Sequence, residues 1–379
     1  MTLQERRFGA TALLDPVVSR ADASPGRCGG LGAGAMEWLS RRGILAFSRE
    51  KPAMRLIALF LLSLAMTTAT AQDKPTALVI HGGAGVIERD ALSDADEAAI
   101  RADLDQALDA GNAILAKGGS ALDAVTAAVV VLEESPRFNA GKGAVFNAQG
   151  KHELDASIME GHTRRAGAVA SVRTVRNPIR LARKVMEHSP HVMLAGDGAE
   201  AFADSRPEIE RVPNDWFDTD RRRRALEQAQ RQAAVGEAPQ GQYFGTVGAV
   251  ALDRHGHIAA ATSTGGMTNK KWGRIGDSPV IGAGTWADER CGVSGTGWGE
   301  FYIRNAVAHD ICARVAYRGD ALAEAAEEVV NRVVTAAGGD GGAIALDVDG
   351  SIAMPFNSGT MYRAWIRPDG SRGVAIFED

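Results

Sequence analysis

The sequence predicts an α+β fold, with amphipathic helices laid over sheets whose strands are apolar on both faces. Two patterns carry this. Short apolar runs such as Ala77–Ile80, Val247–Leu252 and Ile258–Ala261 end in glycine or polar turns, the mark of strands covered on two sides. Between them lie longer stretches with apolar residues at helical spacing, beginning with Ile100, Leu104, Ala107, Leu108, Ile114 and Leu115. A hydrophobic fraction of 45% and a charged fraction of 23% are ordinary for a globular chain of 379 residues. The 44 glycines gather in loops beside the apolar runs, which suits a site assembled from backbone groups on tight turns. A net charge of −5 gives no sign of nucleic-acid binding.

Taken in order, "TALVIHGGAG" from Thr76 reads as a buried strand entering a glycine turn. His81 at its end is a structural histidine, a ligand or a base. A helix spans Ala95–Lys117. Ser120, with Asp123 three residues on, opens a second helix as a variant capping box, and Pro136 stops it. A hairpin follows ("GAVFNAQGKHELDASIMEG"), then a strand ("AGAVASVRTV"), a helix after Pro178, a short strand at His191–Gly196 and a further helix. Arg206–Phe244 differs in kind. Its run of four consecutive arginines, Arg221–Arg224, precedes Gln-rich and Gly/Pro-rich sequence, so it reads as a solvated face or mobile linker, in part helical. Val247–Leu252 then turns at Asp253–Gly256 and returns through "HIAAATSTGG", where alternation puts Thr262 and Thr264 on one face. His255 and His257 at this turn read as a solvated loop rather than a metal pair. Helical patterns occupy Glu300–Tyr317 and Asp320–Ala337, and a last hairpin spans Gly341–Asn357 before "GTMYRAW".

The first 71 residues stand apart. Met54–Ala71 has a basic start, an apolar run from Leu56 to Met66 and Ala-Thr-Ala before Gln72, the three parts of a secretory signal peptide. The run is too short for a membrane span, which takes about 20 residues. Residues 1–53 are then a doubtful extension before the true start at Met54, and the mature chain begins at Gln72 in the periplasm or outside the cell. The removed segment carries nine Lys/Arg and five Asp/Glu, so the remainder has a net charge of −9. Of the cysteines, Cys291 and Cys312 survive processing. Their spacing is not of a metal type. One bridge in an oxidising compartment stays open, as does Cys312 as a small core residue.

One stretch carries chemistry. Gly245-Thr246 joins the breakable linker to a strand apolar on both faces. A hydroxyl needs a base to become a nucleophile. If the chain is cut before Thr246, the new α-amine, with a reference pKa of about 7.7–8.0, is a base within the same residue. Gly245 has no Cβ, so the bond before Thr246 can adopt geometries closed to other residues. The plainer reading is a threonine that opens a buried strand.

Five motifs in one order decide between these. Gly245–Asp277 ("GTVGAVALDRHGHIAAATSTGGMTNKKWGRIGD"), "HGGAG" at His81–Gly85, "NAGKGAVF" at Asn139–Phe146, "SGTGWGE" at Ser294–Glu300 and "GGDGGAIALD" at Gly338–Asp347 resemble the isoaspartyl peptidase/plant-type L-asparaginase family. These are N-terminal-nucleophile hydrolases. The resemblance runs from about Thr76 to the C-terminus. It implies a four-layer α-β-β-α sandwich made from two cleavage products, 72–245 with its linker at 206–245, and 246–379. It implies that Thr246 is the nucleophile, hydrogen-bonded by Thr264, with Asn139 nearby. Thr296 and Gly297 would form the oxyanion hole, with Gly299 near the substrate. Arg274 and Asp277 would grip an α-carboxylate and an α-amine; an Arg reads a carboxylate with two donors. No catalytic cofactor is expected. A structural sodium ion would be held by the main-chain carbonyls of Leu132, Glu133, Ser135, Phe138, Ala140 and Lys142. Family members also pair two cleaved protomers. Trp298 departs from the pattern, which has threonine, histidine or a similar residue there.

The expected activity is therefore release of aspartate from isoaspartyl dipeptides and L-asparagine through an acyl-enzyme, with no nucleic-acid or membrane partner. A glycosylasparaginase would act on the same bond carrying a sugar. A periplasmic amino-acid-binding module would keep Arg274 and Asp277 without self-cleavage. "VIGAGTWA" at Val280–Ala287 matches a dinucleotide fingerprint, but that requires a helix to open at the glycines, and no helical run follows.

Overall fold

The computed structural model describes residues 74–85, 92–236 and 245–378. The leader expected at 54–71, the residues before it and the linker's end at 237–244 lie outside them. Among the described residues the strands are β1 (Ala77–Gly85), β2 (Leu154–Glu160), β3 (Ala166–Val172), β4 (Met193–Ala195), β5 (Val247–Leu252) and β6 (Ile258–Thr264). They continue with β7 (Thr285–Ala287), β8 (Cys291–Gly297), β9 (Gly341–Asp347), β10 (Ile352–Ala353), β11 (Thr360–Ile366) and β12 (Arg372–Ala375). The α-helices are α1 (Asp94–Ala116), α2 (Ala121–Glu134), α3 (Pro178–His188), α4 (Gly196–Asp204) and α5 (Asp220–Ala234), then α6 (Gly299–Asn305), α7 (Val307–Ala313) and α8 (Leu322–Glu327).

The strands form two sheets, ordered β12-β11-β1-β5-β6-β2-β3-β4 and β10-β9-β8-β7. Each strand offers alternate residues to two neighbours. In β5, Val247, Ala249 and Ala251 join the core beneath the helices α1 and α2, with Ile100, Leu104 and Val125. Val250 and Leu252 point the other way, onto Ile344 and Leu346 of the smaller sheet. The far face of that sheet, Val293, Ala343 and Ala345, is covered by Val307, Ile311 and Val329. The result is helix, sheet, sheet, helix, as the resemblance implied. This explains why the central strands are apolar throughout: neither face meets water.

Local signals acted as read. Ser93 and Ser120 cap α1 and α2, the latter accepting from the Asp123 amide at 3.1 Å. The β5–β6 turn closes with Asp253 N donating to His257 O at 3.0 Å, and Gly256 has the positive φ of 78° that such a turn needs. Within 206–236 the structure departs from a solvated linker. Thr219 caps α5, and the helical period turns Arg222 and Leu226 inward. The Arg222 guanidinium is buried and its Nε donates to Gly143 O at 2.7 Å. Cys291 and Cys312 are joined in a disulfide that ties β8 to α7, so Cys312 is more than a small core residue.

Candidate active site

The hairpin register sets the first pair of hydroxyls. Val247 faces Ser263 and Gly248 faces Thr262, which leaves Thr246 opposite Thr264 on the side turned to the smaller sheet. Their Oγ1 atoms are 3.0 Å apart. Thr296, at the end of β8, approaches from the facing sheet. Its Oγ1 accepts the Ala84 amide at 3.1 Å, which leaves its own proton for another acceptor. Thr246, Thr264, Asn139, Arg274, Asp277, Thr296 and Gly297 all line one cleft. Gly299 is not part of this lining; a Cβ on it would fall 2.7 Å from Asp277 Oδ1 and 2.9 Å from Arg274 Nη2.

Several glycines are there because backbones meet. A Cβ on Gly297 would fall 2.4 Å from Asp340 O, and one on Gly83 would fall 2.2 Å from the Cα of Gly245. Gly245 has φ 106°, and its carbonyl accepts from Asn139 N at 2.8 Å. Asn139 also spans the loop after β6: its Nδ2 donates to Gly266 O at 2.7 Å and its Oδ1 accepts from Val145 N at 2.9 Å. It is therefore a brace between the two loops beside Thr246.

The charged end of the cleft holds Arg274 and Asp277. Arg274 donates through Nε and Nη2 to Glu300 at 3.0 and 2.8 Å. Asp277 Oδ2 is buried with no hydrogen-bond partner. Burial pushes the Asp277 carboxyl up to about 7 in spite of the Arg274 charge beside it. An unsatisfied buried oxygen next to a cleft is a seat for a cation's donors. Trp298 is absent from the cleft lining; its ring meets Phe301 edge-on at 5.0 Å.

Beneath Thr246 runs a row of polar groups between the sheets, in which the sequence points to His81 and Thr262 but not to their partners Ser294, Thr285 and Ser157. His81 Nε2 is 2.9 Å from Ser294 Oγ, which is 2.7 Å from Thr262 Oγ1. Thr262 meets Thr285 Oγ1 at 2.5 Å, and Ser157 Oγ meets Thr285 at 2.8 Å and Ser278 O at 2.6 Å. Burial pushes the His81 imidazole down to about 3, which favours its neutral form. Gly248 makes room: a Cβ there would lie 2.0 Å from Ser294 Oγ. Alternation was the available signal, since Thr262, Thr264, Ser294 and Thr296 share the faces turned toward each other.

On the other side of β6, Glu133 Oε1 accepts from Ser263 Oγ at 2.6 Å and from Ile179 N at 3.0 Å. The loop from Leu132 to Lys142 folds back tightly. A Cβ on Gly141 would lie 2.2 Å from Glu133 O, and one on Gly143 would lie 2.0 Å from Phe138 O. Backbone carbonyl oxygens are hard-cation donors in kind. His257 stacks on His162 at 3.8 Å, and among the described residues no group of three or more His, Cys, Asp or Glu is placed to hold a metal. "VIGAGTWA" opens no helix; it leads into β7.

Two sheets faced by helices, with a threonine heading a buried central strand, is the architecture of the N-terminal-nucleophile hydrolases. This chain belongs to the asparaginase family, whose model, described as "Asparaginase", matches residues 74–376. The isoaspartyl peptidase of Escherichia coli K12 is 51% identical over 295 residues, which cover 76% of this chain and 92% of that protein. A probable isoaspartyl peptidase/L-asparaginase 2 of Arabidopsis thaliana is 41% identical over 80% of this chain and 99% of its own length. The human isoaspartyl peptidase/L-asparaginase is 40% identical over 76% of this chain and 91% of its own.

Proposed function

We propose that this chain is a self-processing amidohydrolase that releases aspartate from isoaspartyl dipeptides and L-asparagine. The observation that carries it is the pair Thr246 Oγ1 and Thr264 Oγ1, 3.0 Å apart, at the head of a cleft that also holds Arg274 and Asp277. The relatives' names favour this over a glycosylasparaginase or a binding module.

Cleavage between Gly245 and Thr246 frees the α-amine. With Thr264 fixing its hydroxyl, Thr246 Oγ attacks the side-chain carbonyl of the β-aspartyl group while the amine takes the proton. Thr296 and Gly297 stabilise the oxyanion, the term that usually contributes most in acyl transfer. The amine returns the proton to the leaving group, and water then frees aspartate from the ester. Arg274 holds the α-carboxylate and Asp277 the α-ammonium. A sodium ion on the carbonyls of Leu132, Glu133, Ser135, Phe138, Ala140 and Lys142 would stiffen the loop that carries Asn139. Export through Met54–Ala71 suits the Cys291–Cys312 disulfide, which persists in oxidising compartments. Pairing of two cleaved protomers follows the family pattern.

Intact-mass analysis under denaturing conditions tests the reading. Two chains should appear, the smaller beginning Thr-Val-Gly-Ala, and Thr246→Ala should stay uncut with hydrolysis lowered on the order of 10⁴-fold or more. Full activity from a chain whose 245–246 bond is whole would overturn it. Thr264→Val should be cut slowly and lose roughly 10²-fold in kcat.

A further inference from the structure

We propose that Glu300 is a positioning residue: it clamps the Nε–Nη2 side of Arg274, so that Nη1 faces the cleft and reads the substrate's α-carboxylate. This rests on the reading of the cleft as a β-aspartyl site and adds a residue that it does not include.

A guanidinium has five N–H donors in a fixed plane. Two of them, on Nε and Nη2, are taken by the two Glu300 oxygens at 3.0 and 2.8 Å. The remaining donors, one on Nη2 and two on Nη1, are what a ligand can meet. Nη1 stands against the cleft wall: a Cβ on Gly276 would lie 2.7 Å from it and one on Gly266 3.6 Å, and both glycines line the cleft. Glu300 does not line it. The carboxylate is therefore behind Arg274, where it aims the side chain, rather than in the seat a substrate would take.

The surroundings hold Glu300 in that place. It lies in the first turn of α6, directly after Gly299, where a Cβ would come within 2.7 Å of Asp277 Oδ1 and 2.9 Å of Arg274 Nη2. The backbone passes this close only because Gly299 has no side chain. Burial tends to raise the Glu300 carboxyl, but the hydrogen bonds and charge of Arg274, with the Trp298 indole, keep it below the usual carboxylate range. Glu300 thus stays an anion across working pH. A long arginine held at one edge has little rotamer freedom left to lose when the ligand arrives.

The test compares L-asparagine with its α-amide, which has the same scissile amide but no α-carboxylate. In Glu300→Gln, KM for asparagine should rise about tenfold while kcat stays within roughly threefold, and kinetics on the α-amide should hardly move. The wild-type preference for asparagine would shrink accordingly. Glu300→Asp, which keeps the charge with a shorter reach, should fall between the two and guards against a folding defect in the first variant. Equal losses on both substrates in both variants would mean general support of the fold and overturn the assignment. A lower KM for asparagine in Glu300→Gln would also overturn it, because Glu300 would then be competing with the substrate. If the wild type hydrolyses neither compound, the reading of the cleft itself has failed, and that result is seen before any variant is made.

Discussion

A methyl group on Gly83 would stand 2.2 Å from the Cα of Gly245, so the turn after β1 and the residue before Thr246 share space that admits no side chain. Both glycines also have positive φ, 115° and 106°. Gly83→Ala adds overpacking worth about 1–3 kcal/mol at this point. It should displace Gly245 from the Asn139 amide and slow chain cutting by on the order of 10²-fold, followed as loss of the full-length band with time. Cutting at the wild-type rate would show that the contact is irrelevant to processing.

The role proposed for Asp277 sets a pH limit of its own. If Asp277 receives the α-ammonium as proposed, its carboxyl near 7 means that this anion is lost as pH falls through that value. Once the chain is cut as proposed, the Thr246 α-amine, of reference pKa about 7.7–8.0, would lose its basic form in the same range. The acid limb of log kcat/KM should then approach a slope of two. The limb of log kcat should have a slope of one, because bound substrate holds Asp277 ionised. A kcat/KM limb of slope one throughout would separate Asp277 from substrate binding.

Glu133 should govern stability rather than turnover. Burial pushes its carboxyl up to about 8, above the ordinary value of 4.5, against the bonds from Ser263 and Ile179. A carboxyl raised on folding adds stability that is complete below its ordinary pKa and disappears as pH rises through the folded one. Glu133→Gln imitates the protonated group. Its Tm should equal that of the wild type within a few degrees near pH 5 and exceed it near pH 9, by an amount reflecting a few kcal/mol. Scanning calorimetry at pH 5, 7 and 9 measures this, and an unchanged fall in Tm with pH would count against it.

The hairpin around Thr246 was legible because its determinants are local. The turn at Asp253–Gly256 and the alternation that puts Thr262 and Thr264 on one face are written in neighbouring residues, whereas the pairing of Thr264 with Thr246 came from the resemblance and agrees with the register. The motif order supplied the layers, which composition does not encode. What escaped reading was non-local or directional. His81 and Ser294 lie 213 positions apart, and only the stacking of two sheets makes them neighbours. Four adjacent arginines look solvated, yet the helical period sends Arg222 into the interior. Glu300 looked like the start of a helix because its partner is an arginine 26 residues earlier.

The bond between Cys291 and Cys312 closes a loop of 21 residues at the base of the strand that ends in Thr296 and Gly297. Such a crosslink contributes on the order of 3 kcal/mol by restricting the unfolded chain. A sample's history therefore matters: the same polypeptide made among cytosolic thiols and made beyond the inner membrane would differ in heat tolerance, though every residue was identical.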